Sequence, residues 1–505
     1  MSESRRLLLA ACSGVLLFLS FPPFPLGFLS FIALVPLLFS LQGVRPRQSL
    51  IIGLTSGSVF SFGLLYWVLF VEVEGLTRFY LTVGVMLLWL YLGLWVALFS
   101  LLSTAAVRKL GLVGLLSIPF LWTTLEFIRS LSPQVGFPWG SLGYTLSYYP
   151  SLIQFASITG LPGVTFLVVL VNLVIYLLIE SIGTKRKRAG LVTALILCLL
   201  LPWLHGAISI RTPIRSEGSI RVGLLQANVD PEVKRGGKIY RKYRMEILKK
   251  QSRIAGEMGA DLLVWPETAI PGVLALNLEY RNLVEALSRE LGIPILTGTT
   301  GVTYREEGGY NYYNSVVLVT PERGISEDYD KIYLVPFSEK LPFDDVFPFL
   351  RRLQFGQGDF CPGKAYTIFS HPKGGFSAVI CFESIFPRLV RQFVRRGAKL
   401  LVNITEDSWF GRTAGPFQHA QMAIFRAIEY RIAIARCANT GITMTIDPYG
   451  KVRNRTAIFT RAIVTDTLPV GGGGTFYARY GDLFAWCCLL SSLGFMALAL
   501  CRRKH

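Results

Sequence analysis

The chain has 505 residues, 52% of them hydrophobic, a mean hydropathy of +0.47 and a formal net charge of +19. That hydropathy excludes a wholly soluble protein, and the apolar excess lies mostly before residue 210. The basic excess does not point to nucleic acid: Lys and Arg are spread out or sit beside apolar runs, where they read as topogenic charge and attraction to anionic lipid. Eight cysteines without a CxxC pair, and only four histidines, argue against a metal site or a disulfide framework.

Apolar runs at 7–21 and 25–42 are separated by Phe21-Pro22-Pro23-Phe24-Pro25. Further runs follow at 50–71, 80–106, 112–130, 160–181 and 189–209, and a last one at 483–501. Each approaches the ~20 residues that cross a bilayer. The expectation is a polytopic α-helical membrane domain of eight transmembrane helices, seven within 1–210 and one within 471–505, after a glycine linker at 471–474. With that number, Arg5-Arg6, Arg45, Arg47, Arg108-Lys109, 185–188 and 502–504 all fall on one side. By the positive-inside rule that side is the cytoplasm, with both termini in it, and the segment 211–470 lies opposite. Trp139 and Tyr144, in GFPWGSLGY at 136–144, suit the headgroup region as an aromatic belt or as substrate contacts.

The segment 211–470 alternates strand and helix patterns. Strands are expected at 220–226, 261–265, 294–298, 315–320, 376–380, 399–404 and 442–446, and helices at 239–258, 278–291, 386–396 and 416–434, which is layered α/β packing. Cys381 ends one of these strands just before a helix, where nearby N–H groups favour a thiolate. A lone cysteine is usually a small buried hydrophobe, so it needs partners. Glu267 ends DLLVWPE and Lys331 opens KIYLVPFSE, so three strand ends can converge. A glutamate can take the thiol proton, a lysine can stabilise negative charge, and a thiolate can attack a carbonyl. Singly, each also reads as a solvated surface charge.

Together, WPE, YDKIYLVPFSE and VICFES resemble the Glu-Lys-Cys signatures of the nitrilase superfamily, and 402–441, from VNITEDSWFG to ANTG, is similar to it too. With membrane spans before and after, nearly the whole chain resembles the apolipoprotein N-acyltransferase family. The resemblance implies an α/β nitrilase-like α-β-β-α sandwich at 211–470, on the periplasmic face of a bacterial cell inner membrane. It makes Cys381 the nucleophile, Glu267 the base and Lys331 the oxyanion-side cation, with Glu339, Glu383, Asn314 and Phe382 as auxiliary residues and Trp409 in the WFG core. The implied acyl donor is a phospholipid, the sn-1 chain of phosphatidylethanolamine. The acceptor is the diacylglyceryl-cysteine of an apolipoprotein. The resemblance implies no cofactor, no metal and a monomer that binds no nucleic acid.

Two positions depart from the family pattern: Phe382 stands where tyrosine is frequent, and Lys234-Arg235-Gly236 where a tryptophan is frequent. The segment 342–360, rich in apolar residues including Phe347 and Phe349, is expected to be a lid dipping into the leaflet. His419, in GPFQHAQ, is expected to be structural. Two rival readings are a membrane-tethered nitrilase-type amidase and a transporter or lipid-binding scaffold with a silent domain. The scarcity of ionisable residues within the spans argues against transport.

Overall fold

The computed structural model describes residues 1–71, 76–132, 135–181, 185–229, 237–306, 308–343, 346 and 360–502. The chain divides into two units: Met1–Ser132, Gly136–Pro213 and Tyr480–His505 form one, and Pro133–Val135 with Ile214–Arg479 the other.

The first unit is helical: α1 (Glu3–Leu19), α2 (Val35–Ser40), α3 (Pro46–Leu65), α4 (Leu76–Leu110), α5 (Leu112–Ser130), α6 (Ala156–Glu180) and α7 (Lys185–Arg211), with a further helix at Leu483–Cys501. Among the described residues, six helical segments are long and apolar enough to cross a membrane, against the eight expected. Helix α1 has 17 residues. The run at 25–42 is broken into a 3-10 turn, Gly27–Phe31, and the six-residue α2, whose first turn carries Pro36. Proline lacks the N–H needed to continue a helix through that point, and hydropathy alone does not register the break. The freed backbone groups are satisfied by Asn172 of α6, which accepts from the Leu34 N–H at 2.8 Å and donates to the Ser30 carbonyl at 2.7 Å. Glu126 of α5 works similarly. It accepts from Trp122 Nε1 at 2.8 Å, the Leu142 N–H at 2.9 Å and Thr165 Oγ1 at 2.8 Å, while Arg129 donates to the Phe137 carbonyl at 3.1 Å. A carboxylate and a guanidinium thereby pin the aromatic loop that contains Trp139.

The second unit runs β1 (Ser216–Gln226), α8 (Gly237–Glu257), β2 (Leu262–Val264), α9 (Leu278–Leu291), β3 (Ile295–Tyr304), β4 (Tyr310–Thr320), β5 (Gly324–Asp330), β6 (Ser377–Ile380), α10 (Pro387–Arg395), β7 (Leu400–Thr405), α11 (Gly415–Tyr430), β8 (Ala433–Ala438), β9 (Met444–Ile446), β10 (Val452–Arg455) and β11 (Ala462–Gly471). They make a six-stranded sheet, β11-β1-β2-β3-β4-β5, and a five-stranded sheet, β10-β9-β8-β7-β6. The sheets meet through β1, β11 and β4 on one side and β8, β7 and β6 on the other. Helices α8 and α9 cover the first sheet, burying Leu248, Val284 and Leu287 against Leu263, Trp265 and Ile295. Helices α10 and α11 pack beside the second. The result is the expected four-layered α-β-β-α sandwich.

Several elements escaped the periodicity analysis. Helix α11 stops at Tyr430, four residues before its expected end, because Arg431 turns left-handed at φ 52°, a conformation that usually advertises itself as glycine. Strand β8 (AIARCA) carries a fully buried Arg436, and β5 (GISEDYD) is too polar to read as a strand.

Strands β1, β2 and β3 are parallel to one another, as are β6, β7 and β8, and ligand-binding residues in such sheets collect at the strands' carboxyl ends. Gly298 in β3 makes room for one of those ends. A Cβ there would lie 2.7 Å from the Thr268 nitrogen and 2.8 Å from the Glu267 Cα. Gly298→Ala should therefore destabilise the protein by about 1–3 kcal/mol in thermal unfolding of the detergent-solubilised chain. Gly256→Ala, whose Cβ would find ordinary contacts at 3.4 Å, should not.

Candidate active site

Glu267 stands three residues beyond β2, Lys331 one beyond β5, Cys381 one beyond β6, and Glu406 and Asp407 one and two beyond β7. The chain ends of four strands thus supply one polar cluster inside an apolar sandwich.

Lys331 is fully buried, and its ammonium lies 2.9 Å from both oxygens of Glu339 and 3.8 Å from Glu267 Oε1. Asn314 of β4 clamps the two carboxylates together, its Nδ2 donating to Glu267 Oε1 at 2.8 Å and to Glu339 Oε1 at 2.7 Å. The second oxygen of each is held by the main chain: Glu406 N–H to Glu267 Oε2 and Val335 N–H to Glu339 Oε2, both at 2.8 Å. Burial pulls the Lys331 ammonium toward losing its proton, but Glu339 and Glu267 outweigh it, so the group stays charged. Glu267 is pushed up from the usual carboxylate range by burial, against the pull of Lys331 and with a push from Glu339. A carboxylate so destabilised is a stronger base.

Cys381 opens the 3-10 turn Cys381–Ile385 with φ 50°, an uncommon backbone for a residue with a Cβ. Burial pushes its thiol up, the Glu267 charge adds to that, and Lys331 and a hydrogen bond from Thr405 oppose it. The resting group is a thiol, and a base is needed to ionise it. Glu383, also fully buried, does not serve that purpose. Its Oε1 accepts from Tyr329 Oη at 2.7 Å and from the N–H groups of Ile332 and Tyr333 at 2.8 and 3.1 Å. Its Oε2 accepts from the Ile380 N–H at 2.8 Å. One carboxylate therefore ties the Lys331 segment to the strand that presents Cys381. Phe382 packs edge-on against Phe386, with centroids 5.0 Å apart.

A second buried group lies beneath the Cys381 turn. His419 of α11 places Nδ1 3.0 Å from Asp407 Oδ1, and Nε2 3.1 Å from the Cys381 carbonyl oxygen and 3.3 Å from Ser384 Oγ. Arg436 of β8 donates to Asp407 Oδ2 at 2.8 Å and also to Asn403. Burial would raise the Asp407 carboxyl, but Arg436 and His419 overcome it and hold it at about 2. Burial and Arg436 together lower His419, which is neutral at physiological pH. Sequence reasoning missed Glu406, Asp407 and Arg436; the available signal was charge inside otherwise apolar strands and strand ends. The Cys381, Asp407 and His419 ligand atoms lie within 4.8 Å of one another, but Arg436 against Asp407 disfavours a cation there.

Of the other expected site residues, Trp409 lies in a short turn, Ser408–Phe410, that follows Asp407. Trp139 and Tyr144 belong to the helical unit, where both are buried and Trp139 rests 5.4 Å from Trp67. The proposed lid residues Phe347 and Phe349, and the departure at 234–236, lie outside the described residues.

A four-layered sandwich with a buried glutamate and lysine and a half-buried cysteine at its strand ends defines a domain of the carbon–nitrogen hydrolase type, and the family model "Carbon-nitrogen hydrolase" matches residues 221–473. A second, "Apolipoprotein N-acyltransferase N-terminal domain", matches 13–174. The chain is 38% identical to an apolipoprotein N-acyltransferase of Geobacter metallireducens, covering 99% of this chain and 96% of that one. It is 33% identical to one of Chlorobaculum tepidum, over 99% and 98%. A solved amidase of the nitrilase superfamily from Nesterenkonia AN1 overlays on 53% of this chain and 96% of its own, with 19% identity and a TM-score of 0.39. The chain belongs to the apolipoprotein N-acyltransferase family.

The Glu383 arrangement predicts a separation of stability from chemistry. Glu383→Ala would strand four donors, two of them fully buried, and should cost upward of about 3 kcal/mol in thermal unfolding. Cys381→Ala, which removes only a thiol, should unfold within about 1 kcal/mol of the unaltered protein.

Proposed function

We propose that this protein moves a fatty acyl chain from a phospholipid, through a thioester on Cys381, to the α-amine of a diacylglyceryl-cysteine at the N-terminus of an apolipoprotein. The observation that carries the reading is buried Glu267 and Lys331 beside a half-buried Cys381 in a chain that matches this family along almost its whole length.

In the first half-reaction Glu267 takes the Cys381 proton and the sulfur attacks the ester carbonyl carbon of the donor, the sn-1 chain of phosphatidylethanolamine. The charge that develops on the carbonyl oxygen is stabilised by the Lys331 ammonium and by the N–H of Phe382. Collapse breaks the ester C–O bond, the leaving alkoxide takes the proton from Glu267, and a lysophospholipid departs. In the second half the acceptor amine attacks the thioester carbonyl and gives a proton to Glu267. The C–S bond breaks, and that proton returns to the Cys381 sulfur. Glu339 and Asn314 act by positioning: they keep Lys331 charged and the Glu267 carboxylate aimed. Glu383 holds the cysteine turn and the lysine segment in register. No step calls for a metal or an organic cofactor.

Two lipid-bearing substrates account for tethering such a site to a membrane. The distribution of Lys and Arg supports placing the α/β unit, 211–470, on the periplasmic side of a bacterial inner membrane with both termini in the cytoplasm. Trp409 and the 342–360 segment are proposed to contact the lipid substrates, with Trp139 and Tyr144 on the membrane side, and the enzyme is proposed to act as a monomer.

Incubation with phosphatidylethanolamine alone should give a hydroxylamine-labile acyl mass on Cys381 that persists until a diacylglyceryl peptide is added. An acyl group lost to water without acceptor would favour the amidase-like hydrolase instead. Glu267→Gln should slow acyl-enzyme formation by roughly 100-fold or more in the same assay, since a positioned general base contributes that much.

A further inference from the structure

Glu406 immediately follows β7 and is 4% exposed. Its main-chain N–H donates to Glu267 Oε2 at 2.8 Å, opposite the oxygen that Asn314 holds. Its own carboxyl is held by neutral donors. Asn439 Nδ2 reaches Oε2 at 2.7 Å, and Thr440 Oγ1 and the Ser408 N–H reach Oε1, each at 3.1 Å. No lysine or arginine pairs with it among the described residues, whereas the neighbouring Asp407 has Arg436. A buried carboxyl without a cation is costly to ionise.

We propose that Glu406 is a positioning residue for the acyl-transfer reaction, gripping the Glu267 base through its main chain and, once its own carboxyl is ionised, driving the Cys381 proton onto that base. The proposal rests on Glu267 acting as the base for Cys381. Proton transfer moves negative charge from Glu267 to the sulfur. Glu406 abuts Glu267, so its charge repels the carboxylate that gives the charge up more than the thiolate that receives it.

The surrounding charges make this group the one to watch around neutrality. Burial, with a further push from Glu267, raises the Glu406 carboxyl to about 7. Lys331, on the far side of Glu267 with Glu339, stays an ammonium. Asp407 is held at about 2 beside Arg436 of β8, and His419 of α11 is pushed down into its neutral form. Cys381 remains a thiol. Glu383 is also raised by burial, but it sits on the Tyr329 and Ile380 side and bonds neither Glu267 nor Glu406. Glu406 and Glu267, in contrast, raise one another across their shared contact and titrate as a coupled pair.

The test is the rate of acyl-enzyme formation on Cys381 from phosphatidylethanolamine micelles, followed from about pH 6 to about pH 9 in the full-length enzyme. The unaltered protein should gain rate as pH rises through neutrality. Glu406→Gln keeps the N–H to Glu267 and an oxygen for Asn439. It should lack that rise and run roughly fivefold slower at about pH 8, less than the tenfold of one full pKa unit, with the donor KM unchanged. Glu406→Asp, which retains an ionisable carboxyl, should keep the rise. A Gln profile superimposable on the unaltered one, or uniformly lower with the same shape, would overturn the proposal, the latter leaving Glu406 a merely structural residue. Absence of any adduct on Cys381 in the unaltered protein would overturn the nucleophile assignment instead, a distinguishable failure.

Discussion

The arrangement depends on one buried ammonium. Lys331, with no exposed surface, sits between two carboxylates that are themselves buried. Removing Lys331 leaves two carboxylates without a cation in an apolar sandwich, and breaking a buried pair in that way typically costs about 3–5 kcal/mol. The cluster therefore holds β2, β4 and β5 and the segment after β5 in a fixed relation, because Asn314 bridges both carboxylates while Val335 and Glu406 hold their outer oxygens. Stability and reactivity draw on the same feature. The ammonium that lets two carboxylates remain buried is the same group to which the proposed reaction gives the oxyanion.

Around that centre the polar groups act as rigging. Glu383 joins Tyr329, Ile332 and Tyr333 to Ile380, so the lysine segment and the cysteine strand cannot drift apart without stranding donors. From below, Asp407, Arg436 and His419 buttress the Cys381 carbonyl, which belongs to a residue with φ 50°. Such a backbone persists only where neighbours over-determine it. The same economy operates in the helical unit, where Asn172 and Glu126 satisfy main-chain groups freed by breaks in the helices.

Much of this was legible in the sequence, and the reasons it was or was not are physical. The sandwich could be read because strands buried on both faces are near-continuous apolar runs, such as LLV and LLVNI, and because α9 and α10 repeat apolar residues at helical spacing. Six segments among the described residues, and not eight, are long continuous apolar helices, because hydropathy measures composition and not helical continuity, and Pro36 interrupts the second run without making it polar. Strand β8 was hidden by Arg436 and by an α11 terminus that uses a left-handed arginine in place of glycine. At the site, Glu267, Lys331 and Cys381 stood out as lone reactive residues at strand ends, and family resemblance drew attention to Glu339, Glu383 and Asn314. Glu406 and Asp407 sit in the same TED stretch yet do different things. Only the contacts, neutral donors for one and a guanidinium for the other, separate them.

The account stands or falls on Lys331 acting electrically on Cys381. The most direct measurement is the rate of Cys381 alkylation against pH in the unaltered protein and in Lys331→Met, with thermal unfolding used to establish that the variant is folded. Because the ammonium lowers the thiol's affinity for its proton, its loss should shift the profile to higher pH and slow alkylation at neutrality. A folded variant whose alkylation profile coincides with that of the unaltered protein would contradict the account.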